Sequence, residues 1–223
     1  MSTSDSAPAP VAVFHLTVTL ADIQPAITRT LEVAETTSLQ ELHEHIQIAM
    51  GWKNSHLYEF AIDEKNYRAP YVEHEFDGED FLDASTVVLS EAGLRAGSRF
   101  TYEYDFGAEW VHEIVVEKTA EPDATTFYPR CTSGERAAPP EDSGGPDGFA
   151  DVRKALVALN HPDRRAIRTW VGDDYDPEHF DVNDVNLRLA ASQARREFFS
   201  LGGLADTEFS GDQLEWFALA DLQ

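Results

Sequence analysis

The chain has 223 residues, 42% hydrophobic and 11% aromatic, enough apolar surface to offset chain entropy in one cooperative core and to exclude a globally disordered chain. Its 41 acidic residues against 17 basic ones give a formal net charge of -24, a field that repels phosphate backbones, makes direct nucleic-acid binding an unfavoured function and suits a protein partner with a basic surface. The single cysteine, Cys131, excludes an intramolecular disulfide, and no stretch approaches the roughly 20 apolar residues of a membrane span, so a cytoplasmic setting without membrane contact is expected.

Residues 1–11 read as a flexible tail, being small, polar and proline-containing. Phe14, Leu16, Val18 and Leu20 then alternate with His15, Thr17 and Thr19, the period of a strand with one buried face. Ile27, Leu31 and Val33 mark a second strand, and the turn at 23–26 makes the pair a hairpin. Thr37 with Gln40, or Ser38 with Glu41, offers a capping box for an amphipathic helix carrying Leu39, Leu42, Ile46, Ala49 and Met50 and closed by Gly51. Residues 57–62 read as a third strand, 67–85 as an acidic irregular insertion and 87–89 as a short strand. Phe100, Tyr102, Tyr104 and Phe106 alternate through another strand, and a turn at 105–109 leads to an apolar strand over 110–117.

Hairpin, helix, strand, short element, strand is the β-grasp order. The expected fold is therefore α+β: a β-grasp-like mixed sheet with a packed helix, extended by an extra strand and a C-terminal helical part. Residues 12–118 form the sheet part and 119–148 a Pro/Gly-rich loop. Residues 149–190 form the helical part, with helices around Phe149, Val152 and Leu156, around Ile167 and Trp170, and from Asp181 onward. Residues 191–223, with Phe198-Phe199 and Trp216-Phe217 in acidic surroundings, read as a tail suited to a docking helix.

Tyr104-Asp105-Phe106-Gly107 followed by Trp110 and His112 gives the chain a recognisable signature. So do Gly134-Glu135-Arg136-Ala137 leading into Pro139-Pro140-Glu141-Asp142 and Gly144-Gly145, and the later Trp170, Asp173, Tyr175-Asp176-Pro177 and Phe180-Asp181. With these motifs in this order, over about residues 12–190, the sequence resembles the plasmid pRiA4b ORF-3-like family. The resemblance implies a fold more than a reaction, together with a mobile-element association that includes a resolvase-like label. Resolvase chemistry needs a nucleophilic Ser or Tyr within an arginine cluster and a basic DNA-binding element, neither of which this acidic chain displays. Ala138 and Ser143 stand where the family often carries cysteines, so a thiolate metal site is not expected here.

The residues that suggest chemistry are Asp105 and Glu109 in the turn, Trp110, His112, Glu113 and Glu117 on the strand after it, Arg136, Glu141 and Asp142 in the loop, and Asp173, Asp174 and Asp176 near the C-terminal helices. Imidazole with carboxylates suits zinc, manganese or iron, and a divalent metal is the one cofactor these residues suggest. Strand periodicity puts His112 on the Trp110 face and Glu113 and Glu117 on the other, which leaves His112 with Glu141 and Asp142 as the economical ligand set. Each residue has a structural role in competition: His112 tethers the loop, Asp105 bonds its own turn, Arg136 locks the loop through Asp142 or Glu141, and Asp173 to Asp176 shape a capping turn. Gly144-Gly145 is too short for a phosphate loop, and His43 and His45 face apart on their helix. Two functions stand in view: an interaction or regulatory module of mobile-element-associated origin, and a metal-dependent hydrolase using His112 and the loop carboxylates.

Overall fold

The computed structural model describes residues 12–69 and 81–200. The tail at 1–11 and most of the expected acidic insertion lie outside them. Among the described residues, an eight-stranded mixed sheet and four helices make an α+β fold. The strands are β1 (Val13–Leu20), β2 (Ile27–Ala34), β3 (Tyr58–Ile62), β4 (Lys65–Arg68), β5 (Leu82–Asp83), β6 (Arg99–Tyr104), β7 (Trp110–Ala120) and β8 (Arg130–Glu135). The helices are α1 (Leu39–Met50), α2 (Gly145–Val157), α3 (Arg164–Val171) and α4 (Val182–Ser200).

The sheet order is β5-β4-β3-β6-β7-β1-β2-β8, and every neighbouring pair is antiparallel except β4 and β5. The strand expected to extend the sheet does so from within it. β7 lies between β1 and β6, pairing Leu20 with His112 on one side and Tyr102 with His112 on the other. A β-grasp sheet has its first and last strands adjacent; here β7 holds them apart.

The alternating strands bury one face. Leu16, Val18, Leu20, Leu31, Phe60, Tyr102, Tyr104, Trp110, Ile114 and Val116 are all essentially inaccessible. Leu39, Leu42 and Ile46 of α1 are equally buried and belong to the same cluster. Of the two capping boxes offered by the sequence, Ser38 and Glu41 form the one described at this helix, and Gly51 closes the helix through bonds to Gln47 and Ile48. Arg29 is the buried cation of this layer. Its guanidinium donates to the carbonyls of Ala49 (2.7 Å), Thr28 (2.7 Å) and Glu135 (3.1 Å), tying the end of α1 to β2 and β8.

Four segments differ from the sequence expectation. Residues 130–135, read as loop, form β8 on the edge of β2, because main-chain pairing requires no alternating apolar side chains and only Cys131 turns fully inward. Gly134 sits there under the ring of Phe180, where a Cβ would fall 2.7 Å from the ring and 2.8 Å from the Thr28 carbonyl. Residues 87–89 contribute one isolated bridge, Ser38 to Val88, instead of a strand. β5 forms within the stretch read as irregular, and β4 runs into its start. At the C-terminal end, α4 continues through Ser200, well beyond the expected helix, with the Asp181 carboxylate accepting from the Asn183 and Asp184 amides. Among the described residues no helix is long and apolar enough to cross a membrane.

Candidate functional site

The register of β3 against β6 pairs Tyr58 with Tyr104, and beyond that pair the Asp105 amide donates to the Leu57 carbonyl (2.9 Å). This register brings the end of the α1–β3 connection, with His56, beside the β6–β7 turn, with Asp105. Asp105 takes a left-handed conformation (φ 58°), and its carbonyl accepts from the Ala108 (2.9 Å) and Glu109 (2.8 Å) amides. Its Oδ1 accepts from the Gly107 amide (3.2 Å), while Oδ2 lies 3.7 Å from His56 Nε2. Asp105 is thus both a turn residue and a site residue.

The third arm comes from the loop before α2. Trp52 donates its indole N–H to the Pro139 carbonyl (2.8 Å), and the Tyr104 hydroxyl donates to Glu141 Oε1 (2.6 Å) while accepting from the Ser55 amide (2.9 Å). Gly145, at φ 72°, rests against the β6–β7 turn so closely that a Cβ would fall 2.5 Å from the Ala108 carbonyl oxygen. Held this way, the loop places Asp142 (φ 61°) with Oδ1 3.2 Å from His56 Nε2. The His56 ring stands edge-on to Tyr104, with centroids 5.7 Å apart.

His56, Asp105 and Asp142 therefore offer one donor atom each, all within 4.8 Å of one another. No other group of three His, Cys, Asp or Glu donors converges in this way among the described residues. His56 Nε2 has no hydrogen-bond partner among the described residues, despite its approach to Asp142. Two donors each about 2.1 Å from one ion, subtending about 90–110°, stand roughly 3.0–3.4 Å apart, close to the observed 3.2 and 3.7 Å. Beside them Ser143 is buried with its hydroxyl unpartnered.

The sequence candidates divide into those at this site and those elsewhere. Asp105 and Asp142 are in the group, and Glu141 neighbours it on the Tyr104 hydroxyl. His112 is outside it: fully buried near the start of β7, its Nδ1 is 3.2 Å from the Tyr102 carbonyl and its ring edge-on to Trp52. Burial pushes the His112 pKa down to about 4. Trp110 is a core residue beside Trp52 (6.0 Å). Glu113 and Glu117 are exposed on the opposite face of β7. Arg136 does not reach Glu141 or Asp142; it bonds Glu178 (3.0 Å), Glu135 (2.9 Å) and the Ala26 carbonyl (2.9 Å), fastening β8 to the β1–β2 turn and to the segment before α4. Asp173 and Asp176 lie exposed between α3 and α4, where Asp176 accepts from the Glu178 amide (2.9 Å) in a local turn.

His56 is the site residue that the sequence reading missed. It falls in a Lys-Asn-Ser-His stretch with no periodicity of its own. Pairing the 57–62 and 99–106 strands by their aromatic residues would have set it beside Asp105.

The family model described as plasmid pRiA4b ORF-3-like protein matches residues 12–184. The uncharacterized protein y4hQ of Sinorhizobium fredii (strain NBRC 101917 / NGR234) is 37% identical over 190 residues, which cover 83% of this chain and 96% of that protein. The crystal structure of the protein of unknown function MM3350 from Methanosarcina mazei Go1 superposes with a TM-score of 0.70 at 32% identity, covering 79% of this chain and 97% of that one.

Proposed function

Because the chain belongs to the plasmid pRiA4b ORF-3-like family, whose name carries no reaction, we propose its function from the site itself: it binds a divalent transition-metal ion through His56, Asp105 and Asp142. The observation that carries this reading is the convergence of three donor atoms from three separate segments, with an imidazole nitrogen that bonds to neither carboxylate. One imidazole and two carboxylates suit zinc, manganese or iron, and three protein ligands leave positions for water or a substrate oxygen. Metal-assisted hydrolysis is the reaction class such an ion supports, and Glu141, fixed by Tyr104 next to Asp142, is the carboxylate at hand to take a proton.

The test is the metal content of protein purified without chelator or metal-affinity resin, followed by calorimetric titration with zinc and manganese. The expected result is about one ion per chain, abolished in His56→Ala and Asp142→Asn. Wild-type protein that neither retains nor takes up an ion removes the reading.

A second reading is an interaction or regulatory module that engages a basic protein surface in the cytoplasm. The net charge of -24 supports it, as do the exposed aromatic residues Phe127 and Trp170. A mobile-element association rests on the plasmid reading frame in the family's name, and the cytoplasmic setting on the free, buried Cys131. Binding of a lysine-rich polypeptide that weakens with added salt is the outcome expected of this module; binding that ignores salt, or none, counts against it.

A further inference from the structure

Helix α3 runs against the charge of the chain. Its eight residues include Arg164, Arg165 and Arg168 and no acidic residue. None of these arginines forms an ion pair among the described residues, although the chain has 41 acidic residues against 17 basic ones. Arg164 donates instead to the carbonyls of Ala155 and Leu156 at the end of α2, and Arg168 to that of Tyr175 (2.7 Å). Such bonds fix the side chains and leave their charge uncompensated. Arg165 is exposed, and its guanidinium has no partner among the described residues. Arg164 and Arg165 also stand in the first turn, where the positive end of the helix dipole favours acidic side chains. The same hairpin exposes apolar groups. Ile167 and Val171 turn toward the core, but no residue of α3 is fully buried. Trp170 is 48% exposed, and its indole makes no hydrogen bond or ring contact among the described residues. Val157 and Leu159, at the end of α2 and just past it, are 78% and 81% exposed.

We propose that α3 and the end of α2 form a docking surface for an acidic peptide of another protein, one that carries an aromatic or aliphatic anchor. Charge complementarity selects this occupant. Carboxylates meet guanidinium groups in short, charge-assisted bonds, and tryptophan is among the side chains that most often anchor an interface. The net charge of -24 opposes the approach of an acidic partner, but at physiological salt such fields decay over about 8 Å. At contact, the arginines of α3 therefore outweigh the more distant carboxylates. A nucleic acid fits less well: its phosphates run on at close, even spacing past α3 into acidic surroundings, and it gives Val157 and Leu159 no apolar partner. A second copy would have to bring one of its acidic faces against α3, and contacts between two different faces repeat without closing unless they happen to form a ring.

Fluorescence anisotropy with a labelled copolymer of glutamate and tyrosine tests the proposal on the full chain at physiological salt, with light scattering to fix the oligomeric state. The expected result is saturable binding to a monomer, weakened at least about tenfold in Arg165→Glu and in Trp170→Ala and largely kept in Arg165→Lys. Circular dichroism checks that each variant is folded; Arg165→Glu decides should Trp170→Ala disturb α3. Wild-type protein that ignores the copolymer, or binding that both weakening variants leave unchanged, overturns the proposal. Tighter binding of labelled oligothymidylate than of the copolymer also overturns it and gives α3 to single-stranded nucleic acid. Self-association that Arg165→Glu dissolves overturns it in favour of a second copy.

Discussion

The Tyr104 hydroxyl donates a 2.6 Å hydrogen bond to Glu141 and accepts one from the Ser55 amide, joining the loop before α2 to the segment that carries His56. Burial and the hydrogen-bonded Glu141 hold the phenol protonated by raising its pKa. Tyr104→Phe removes both bonds and leaves the Ser55 amide and Glu141 to find other partners. A loss of about 1–3 kcal/mol in denaturant unfolding is expected, with metal affinity at His56 and Asp142 roughly 10-fold weaker by titration calorimetry. Unchanged affinity would separate loop position from the proposed ion.

His56 and His112 should respond in opposite ways. His112→Ala opens a cavity under Trp52 in the middle of the sheet, and a stability loss of about 2–5 kcal/mol is expected. The half-buried His56 should cost less than about 1 kcal/mol when replaced by alanine, yet abolish ion uptake. Thermal melting and metal analysis on the two variants check this. Ion loss confined to His112→Ala would return the ligand role to β7.

Three buried histidines set a pH dependence. Burial pushes His43 down to about 4, His45 to about 3 and His112 to about 4, from 6.5 in an unfolded chain. A depressed folded pKa means that the unfolded chain binds the proton first as pH falls, so stability is intact above pH 6.5 and declines toward pH 4. Each histidine contributes about 2 kcal/mol of that loss by pH 5. Urea unfolding at pH 7.5, 6 and 5 should trace the decline, and His43→Gln should flatten it by one histidine's share. A stability that stays level to pH 5 contradicts the neutral state of these rings.

His43 also shows why neutrality is built in. It stacks on Tyr58 at 3.7 Å, and its Nε2 bonds Asn54 Oδ1 (2.8 Å) while Nδ1 meets the Tyr102 hydroxyl (2.7 Å). Gln47 closes the circuit by donating to Tyr102 (2.9 Å) and accepting from the Asn54 amide (3.0 Å). With Asn54 as acceptor, the ring carries its proton on Nε2, and Nδ1 accepts from the tyrosine.

Gly145→Ala should be disproportionately damaging for so small a change. Its Cβ would meet the Ala108 carbonyl, and its φ of 72° is strained for any other residue. A loss of about 1–3 kcal/mol is expected, along with faster amide exchange in residues 141–145. Equal exchange in variant and wild type would show that the loop does not depend on this contact.

The local part of the fold was open to reading in the sequence. Alternation in β1, β6 and β7 follows from one buried face, and Ser38 with Glu41 marks the start of α1, because each signal lies within a few residues. β8 was not, since an edge strand held by main-chain bonds with one fully inward side chain leaves no period to detect. At the site, Asp105 and Asp142 stood out as turn and loop carboxylates. His56 did not, because its relation to them depends on strand register and on how a loop from beyond residue 136 returns. His112 drew attention as a histidine with carboxylates nearby in sequence, but its strand is buried on the face it shares with Trp110.

β7 joins β1 to β6, and these two strands have no other link across the sheet. One flank, β1-β2-β8, leads on to Asp142; the other, β5-β4-β3-β6, carries His56 and Asp105. The first flank closes only when Leu31 meets Cys131, and the span between the flanks only when residues near 115 meet residues near 17; each pairing joins positions about a hundred apart along the chain, a slow, non-local step. Until then the three donor atoms belong to two separate pieces of structure. Ion uptake would therefore report on completion of the whole sheet, and a chain arrested with either flank alone would lack at least one of the three ligands.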